Sequence, residues 1–214
     1  MSSAAHHHRA DRGAEGPRLQ SASLAQLFSL PLISLELNTI KSSRRYPVSK
    51  KKHSAATPAL AVLASSGVDY KVSSFEGGTE HFGDHAAAAL GVEPERIFKT
   101  LVVDLTAGKG PKRQLAVACV PVTSQLSLKK VAAAFGASKA TMADPHDASK
   151  SSGYIPGGIS PIGQKTALPT VIDETAILFD TIFVSAGRRG MDVELSAESL
   201  VSLVDGQLVD VQAD

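Results

Sequence analysis

Tryptophan is absent from this sequence, aromatic residues of all kinds make up 5%, and cysteine occurs once. A single cysteine excludes an internal disulfide and agrees with a reducing compartment, so a cytoplasmic protein is expected. With few rings to fill space, core volume must come from Ala, Val, Leu and Ile within the 43% hydrophobic content. That favours a mixture of helix and sheet over an aromatic-rich sandwich. No apolar run approaches the roughly 18 to 20 residues of a membrane span, and no membrane partner is expected. A large positive balance is lacking too: the net charge is +1.

That sum hides an asymmetry. Residues 1–53 hold nine Lys/Arg against three Asp/Glu, a balance of +6, whereas residues 54–214 hold thirteen against eighteen, a balance of −5. The body is therefore no nucleic-acid clamp by bulk charge, and any RNA contact has to use a local patch. Residues 1–53 read as a tail. A targeting peptide, a basic arm touching RNA, and a plain extension or an upstream start are the competing readings. The expectation is a disordered basic extension over 1–53 and one folded domain over 54–214.

From Thr57 the signals sharpen. Thr57-Pro58 is a cap followed by proline at the first helical position, and Gly67 closes that helix. Tyr70–Phe75 reads as a strand, Asp84–Leu90 as an alanine-rich helix, and Pro94–Ile97 as a single turn. Phe98–Leu105 and Gln114–Val122 alternate as a hairpin pair. Ser127 caps a helix to Phe135, Ala140–Ala143 is a short strand, and Asp144-Pro145 opens a helix that Gly153 ends. Pro169–Ile172 is extended, Asp173–Leu178 is helical or a turn, and Thr181–Ser185 pairs with Met191–Leu195 across Gly187-Arg188-Arg189-Gly190. Ser196 caps the last helix, Gly206 ends it, and Gln207–Val211 is an edge strand. Helices and strands do not alternate strictly. The expected fold is α+β: a mixed central sheet surrounded by helices, rather than a doubly wound parallel sheet.

The stretch from Gly153 to Gly163 carries four glycines and two prolines in eleven residues. It can be neither helix nor interior strand, because glycine loses the most entropy on ordering and proline lacks a donor. Such a loop is kept either because the chain turns tightly or because bare backbone must approach something, and Gly157-Gly158 suits the second reading. The active site is placed here. The neighbouring Gly158-Ile159-Ser160-Pro161-Ile162-Gly163-Gln164-Lys165-Thr166 misses the phosphate-cradling P-loop: Gln164 separates glycine from lysine, and Pro161 removes an N–H.

Other constellations are weaker. Cys119, inside an apolar run, reads as core rather than nucleophile. His81 and His85 stand at i, i+4, but Gly83 interrupts and no third ligand is spaced to match, so no metal is expected. Ser185 lacks a nucleophile-elbow context. The Arg188-Arg189 pair on its turn suits an anion. Lys99 is more informative, because strand alternation puts it on the face of Leu101 and Val103, where an ammonium needs a partner or a ligand.

Several ordered blocks over residues 57 to 212 resemble the YbaK/EbsC family of freestanding aminoacyl-tRNA deacylases, relatives of the editing domain inserted in some prolyl-tRNA synthetases. They include Phe98-Lys99-Thr100-Leu101, Gln125 to Val131, Met142-Ala143-Asp144-Pro145, the glycine loop through Lys165, and Val184 to Leu195. The resemblance is greatest to the subgroup that clears cysteine mischarged onto the proline tRNA. It implies that Lys99 is the key functional lysine and that Gly157 lines the site, with Gly158 beside it as a second backbone donor. It also implies substrate contacts from Phe75, Tyr154, Ile159, Ser160, Ser185, Arg188 and Asp192. Phe75 stands where that subgroup has a useful tyrosine, so a hydroxyl is lost.

The implied chemistry uses no metal, cofactor or protein nucleophile: the thiol of the tRNA-bound cysteine attacks its own ester, releasing a thiolactone that water opens. The implied partners are the tRNA acceptor end and prolyl-tRNA synthetase. Two alternatives stay open at this point, a water-using deacylase for Ala-tRNA or another small aminoacyl group, and a non-catalytic module that binds aminoacyl-tRNA or a synthetase.

Overall fold

Side-chain caps set most of the helix starts. α1, Pro58–Ser66, begins where Thr57 accepts from the Leu60 N–H at 3.2 Å, with proline at the first position. α2 is Phe82–Leu90. α3, Leu128–Ala134, is capped by Ser127 and α4, Pro145–Ser152, by Asp144, which accepts from His146 N at 2.8 Å. α5, Ala197–Val204, is capped by Ser196. These elements come from a computed structural model that describes residues 57–76, 82–110 and 112–214. The expected extension over 1–53 and His81 lie outside the described residues, and Glu76 alone of the expected Glu76-Gly77-Gly78 turn lies within them.

Gly67 and Gly153 end α1 and α4 in the left-handed region, at φ 76° and 78°, as expected of glycine after a helix. The last helix differs. Its left-handed residue is Asp205, at φ 47°, while the Gly206 N–H returns to Val201 O. Gly206 is needed for closeness instead: a Cβ there would stand 3.0 Å from Val204 Cγ2.

Among the described residues there are eight strands, β1 Lys71–Ser74, β2 Ile97–Asp104, β3 Leu115–Pro121, β4 Thr141–Met142, β5 Thr170–Ile172, β6 Ile182–Arg188, β7 Met191–Leu195 and β8 Gln207–Leu208. They form one sheet in the order β1-β7-β6-β2-β3-β5-β8, with β4 beside β2. Pairing is mixed: β2 with β6, β3 with β5 and β5 with β8 are parallel, and the rest antiparallel. The α+β expectation holds. Two strand limits move, since β6 runs on through Gly187-Arg188 after a register shift, and β8 is only two residues long.

Alternation divides the sheet into two unlike faces. On one, Phe98, Val117, Cys119, Ile172, Val184, Met191 and Val193 form the main core with α1, α5, Tyr154 and Ile162. Cys119 is fully buried, and burial pushes its thiol up to about 12, so it is a core residue and no nucleophile at neutral pH. The opposite face carries two smaller clusters. α3 covers Val103, Ala116, Ala118 and Val171, whereas α2 covers Ile97 and Phe183 with Ala86 and Ala87. Between those clusters the sheet is polar. Among the described residues, no helix is long and apolar enough to cross a membrane.

Candidate functional site

Strand register lines up polar side chains across the sheet between α2 and α3. Ser73 of β1 is opposite Asp192 of β7, and Asp192 is opposite Ser185 of β6. β6 runs parallel to β2 with Phe183 beside Ile97, so Ser185 and Lys99, each two residues on, share that face. Four strands thus contribute Ser73, Asp192, Ser185 and Lys99 to one row. Lys99 lies where alternation places it, among the residues of the Val103 face.

The Lys99 ammonium is held by main-chain dipoles, donating to Ser124 O at 2.6 Å and Val122 O at 3.4 Å. Both carbonyls belong to the link between β3 and α3, and that link is braced from behind. Ser124 Oγ bonds Gln212 Oε1, and Gln212 Nε2 donates to Asp173 Oδ1 at 2.7 Å. Asp173 is fully buried and also accepts from Val211 N, Thr175 N and Thr175 Oγ1. Burial raises its pKa, but these donors outweigh that and hold the carboxyl below its usual range. Read from sequence only as the start of a turn, Asp173 ties the C-terminal segment to the loop that grips Lys99.

Asp192 sits in the opposite electrostatic condition. It is 9% exposed, and burial pushes its carboxyl up to about 6. A carboxylate that is costly to ionise in the middle of a sheet face is expensive as structure, which marks it as a functional candidate. Ser185 Oγ accepts from Gly187 N at 3.3 Å, which leaves its proton for another partner. Phe75, two residues on from Ser73, packs on the α2 cluster, and its N–H donates to Gly190 O at 2.9 Å. It can wall the row with an apolar ring.

The glycine loop resolves the two readings of Gly157-Gly158, one for each residue. Gly157 has φ 82° and follows Pro156, and Gly158 N donates back to Ile155 O at 3.0 Å: a turn that needs a left-handed third residue. Gly158 provides the close approach. A Cβ on it would stand 2.9 Å from Arg189 N and 3.1 Å from Arg188 Cα, so its bare backbone is pressed to the β6–β7 hairpin. The N–H of Gly158 is therefore spent on the turn, which corrects its expected role as a donor to substrate. Gly157 is exposed at the loop tip.

Two further expectations change. Tyr154 is 5% exposed, and its hydroxyl donates to Ile162 O at 2.8 Å, so it closes the loop from inside rather than meeting substrate. Ser160 is fully buried and its Oγ accepts from Ile162 N in a local turn, so burial takes it away from substrate. Ile159 packs partly into the main core. Of the arginine pair, Arg189 reaches the loop, with Nε and Nη2 donating to Pro156 O at 3.0 and 2.7 Å, while Arg188 is exposed. Strand β6 thus connects both halves of the site: Ser185 stands in the polar row, and the hairpin beyond it clamps the glycine loop.

Sequence reading missed Ser73, though Val72 and Ser73 already alternate toward opposite faces. It also missed the cluster in the neighbouring row, two residues along β7 from Asp192, where Glu194 accepts from Arg96 at 3.2 Å and Thr181 at 2.6 Å.

The aminoacyl-tRNA editing domain profile matches residues 83–203. A protein of Enterococcus faecalis that carries the name Cys-tRNA(Pro)/Cys-tRNA(Cys) deacylase EbsC is 39% identical over 165 residues, covering 77% of this chain and 98% of that relative. Among solved structures, one described as a trans-editing enzyme for prolyl-tRNA synthetase is similar with a TM-score of 0.65 at 24% identity, covering 75% of this chain and all of the other. A designed epitope scaffold has the same fold, with a TM-score of 0.65 at 24% identity over 74% of this chain and 97% of its own. On the extent of the profile match and of the Enterococcus relative, the chain belongs to the aminoacyl-tRNA editing domain family.

Proposed function

We propose that the protein is a trans-editing deacylase that removes cysteine mischarged onto tRNA(Pro). The observation that carries this is the 39% identity to the Enterococcus deacylase over nearly that protein's whole length. The site supports it by what it offers: an anchored ammonium, a buried carboxyl, a free hydroxyl and an exposed loop-tip amide.

In the proposed reaction the thiol sulfur of the esterified cysteine attacks its own carbonyl carbon. The new S–C bond forms as the C–O bond to the terminal ribose breaks, and the ribose hydroxyl takes up the thiol's proton. The protein's contribution is positioning and charge. Lys99, its ammonium fixed by Ser124 O, holds the terminal ribose or phosphate. The Gly157 N–H faces the oxygen that becomes negative, a contact commonly worth about 3 kcal/mol. The exclusion of larger amino acids is assigned to the Phe75 ring on the α2 cluster. The reading extends to the cytoplasm as location and to prolyl-tRNA synthetase as the partner that delivers tRNA, since the acidic body over 54–214 favours weak RNA affinity.

A side-by-side time course on Cys-tRNA(Pro) and Ala-tRNA(Pro) tests this. Loss of cysteine alone is expected, because alanine has no thiol. Equal loss of alanine would mean that water is the nucleophile and would overturn the mechanism.

A further inference from the structure

A concavity of about 320 Å³ lies away from the polar row, lined by Arg113, Asp147, Lys150, Ser151, Lys165 and Thr166 beside Leu115. Its charge balance is three cations to one carboxylate, on a body whose overall balance is negative. These residues come from three separate segments: the β2–β3 connection, α4 from Asp147 in its first turn to Lys150 and Ser151 in its last, and the stretch of chain that leaves the glycine loop. Arg113 is partly engaged, 3.6 Å from Asp104, but neither Lys150 nor Lys165 has a carboxylate within 4 Å among the described residues.

The concavity is built onto the neck of the glycine loop. Lys165 N donates to Ser152 O at 2.9 Å and Thr166 N to Ser151 O at 3.0 Å, which closes the loop at its base. Those two bonds, with Gly153 N to Ser149 O, also occupy carbonyls at the end of α4. The negative end of the helix, which would otherwise repel an anion, is thereby muted. What lines the concavity is then the cationic nitrogen of Arg113, Lys150 and Lys165 with two hydroxyls and the single carboxylate of Asp147, a net positive set whose donors suit a phosphate diester.

We propose that this concavity binds a backbone phosphate of the tRNA substrate, anchoring the acceptor stem against the neck of the loop whose tip carries Gly157. The inference rests on the deacylase reading for the identity of the RNA. It supplies the local patch that an acidic body needs to hold a polyanion at all.

The probe is a non-acylated acceptor-stem RNA hairpin, titrated by fluorescence anisotropy against the full chain at several salt concentrations. Lys150→Ala and Lys165→Ala are each expected to weaken binding about three- to tenfold and together to reduce the slope of log K against log salt by about 1. Lys139→Ala, an exposed lysine outside the concavity, removes the same charge and is expected to leave affinity unchanged. On Cys-tRNA(Pro) the two pocket variants are expected to raise KM with kcat retained. If they bind the hairpin as the wild type does, or if Lys139→Ala weakens it equally, the proposal is overturned even where deacylation is intact. If hairpin binding falls as expected but no ester is cleaved, the pocket stands and the deacylase reading fails.

Discussion

Changing Asp192 to Asn removes a charge that burial disfavours, and the consequence can be worked through. In the fold the carboxyl titrates at about 6, against 3.8 for its unperturbed value. Each unit corresponds to about 1.4 kcal/mol, so an ionised Asp192 costs the fold about 3 kcal/mol at neutral pH. The sign follows from proton binding. Between pH 4 and 6 the folded chain holds a proton that the unfolded chain has lost, so this contribution is full below about pH 4 and lost as pH rises through 6. Asp192→Asn is therefore expected to be more stable than wild type by about 2 to 3 kcal/mol at pH 7.5, with the difference vanishing near pH 4. Urea unfolding at half-unit pH steps reads this directly. Deacylation by the same variant is expected to fall, since a costly charge on the site face has a use there. A variant no more stable than wild type at pH 7.5 would refute the reasoning.

Gly158→Ala drives a Cβ to 2.9 Å from the Arg189 main chain, where no side chain can swing aside, so a loss of about 1 to 3 kcal/mol is expected by urea unfolding, with reduced deacylation as the loop is displaced. Asp173→Ala leaves the donors of Val211, Thr175 and Gln212 unmatched in the interior and is expected to cost about 3 kcal/mol at pH 7. Because the Asp173 carboxyl titrates below its usual range, that stability is present above about pH 4 and lost as pH falls through the depressed value, the reverse of Asp192.

Much of the fold is legible locally. Cap chemistry at Thr57, Ser127, Asp144 and Ser196 marks four helix starts, because each side chain satisfies a donor within three residues of itself. The face of Lys99 is legible for the same reason, since alternation is a property of one strand. What escapes is set by partners distant in sequence. Nothing near Asp173 signals that Gln212 and Val211 will meet it, nor does anything near Gly158 signal that it approaches a hairpin thirty residues on. The same holds for Tyr154: the resemblance implies a substrate contact, but packing against Ile162 and α1 buries it. The left-handed cap at Asp205 defeats a reading that assigns such positions to glycine.

The central claim is that Lys99, fixed on the polar face, makes this site a deacylase, and single-turnover cleavage of Cys-tRNA(Pro) by wild type and Lys99→Ala tests it most directly. Loss of one fixed charge contact predicts a rate lower by about 10²-fold, with the unfolding midpoint little changed. An unchanged rate in a folded Lys99→Ala protein would contradict the account.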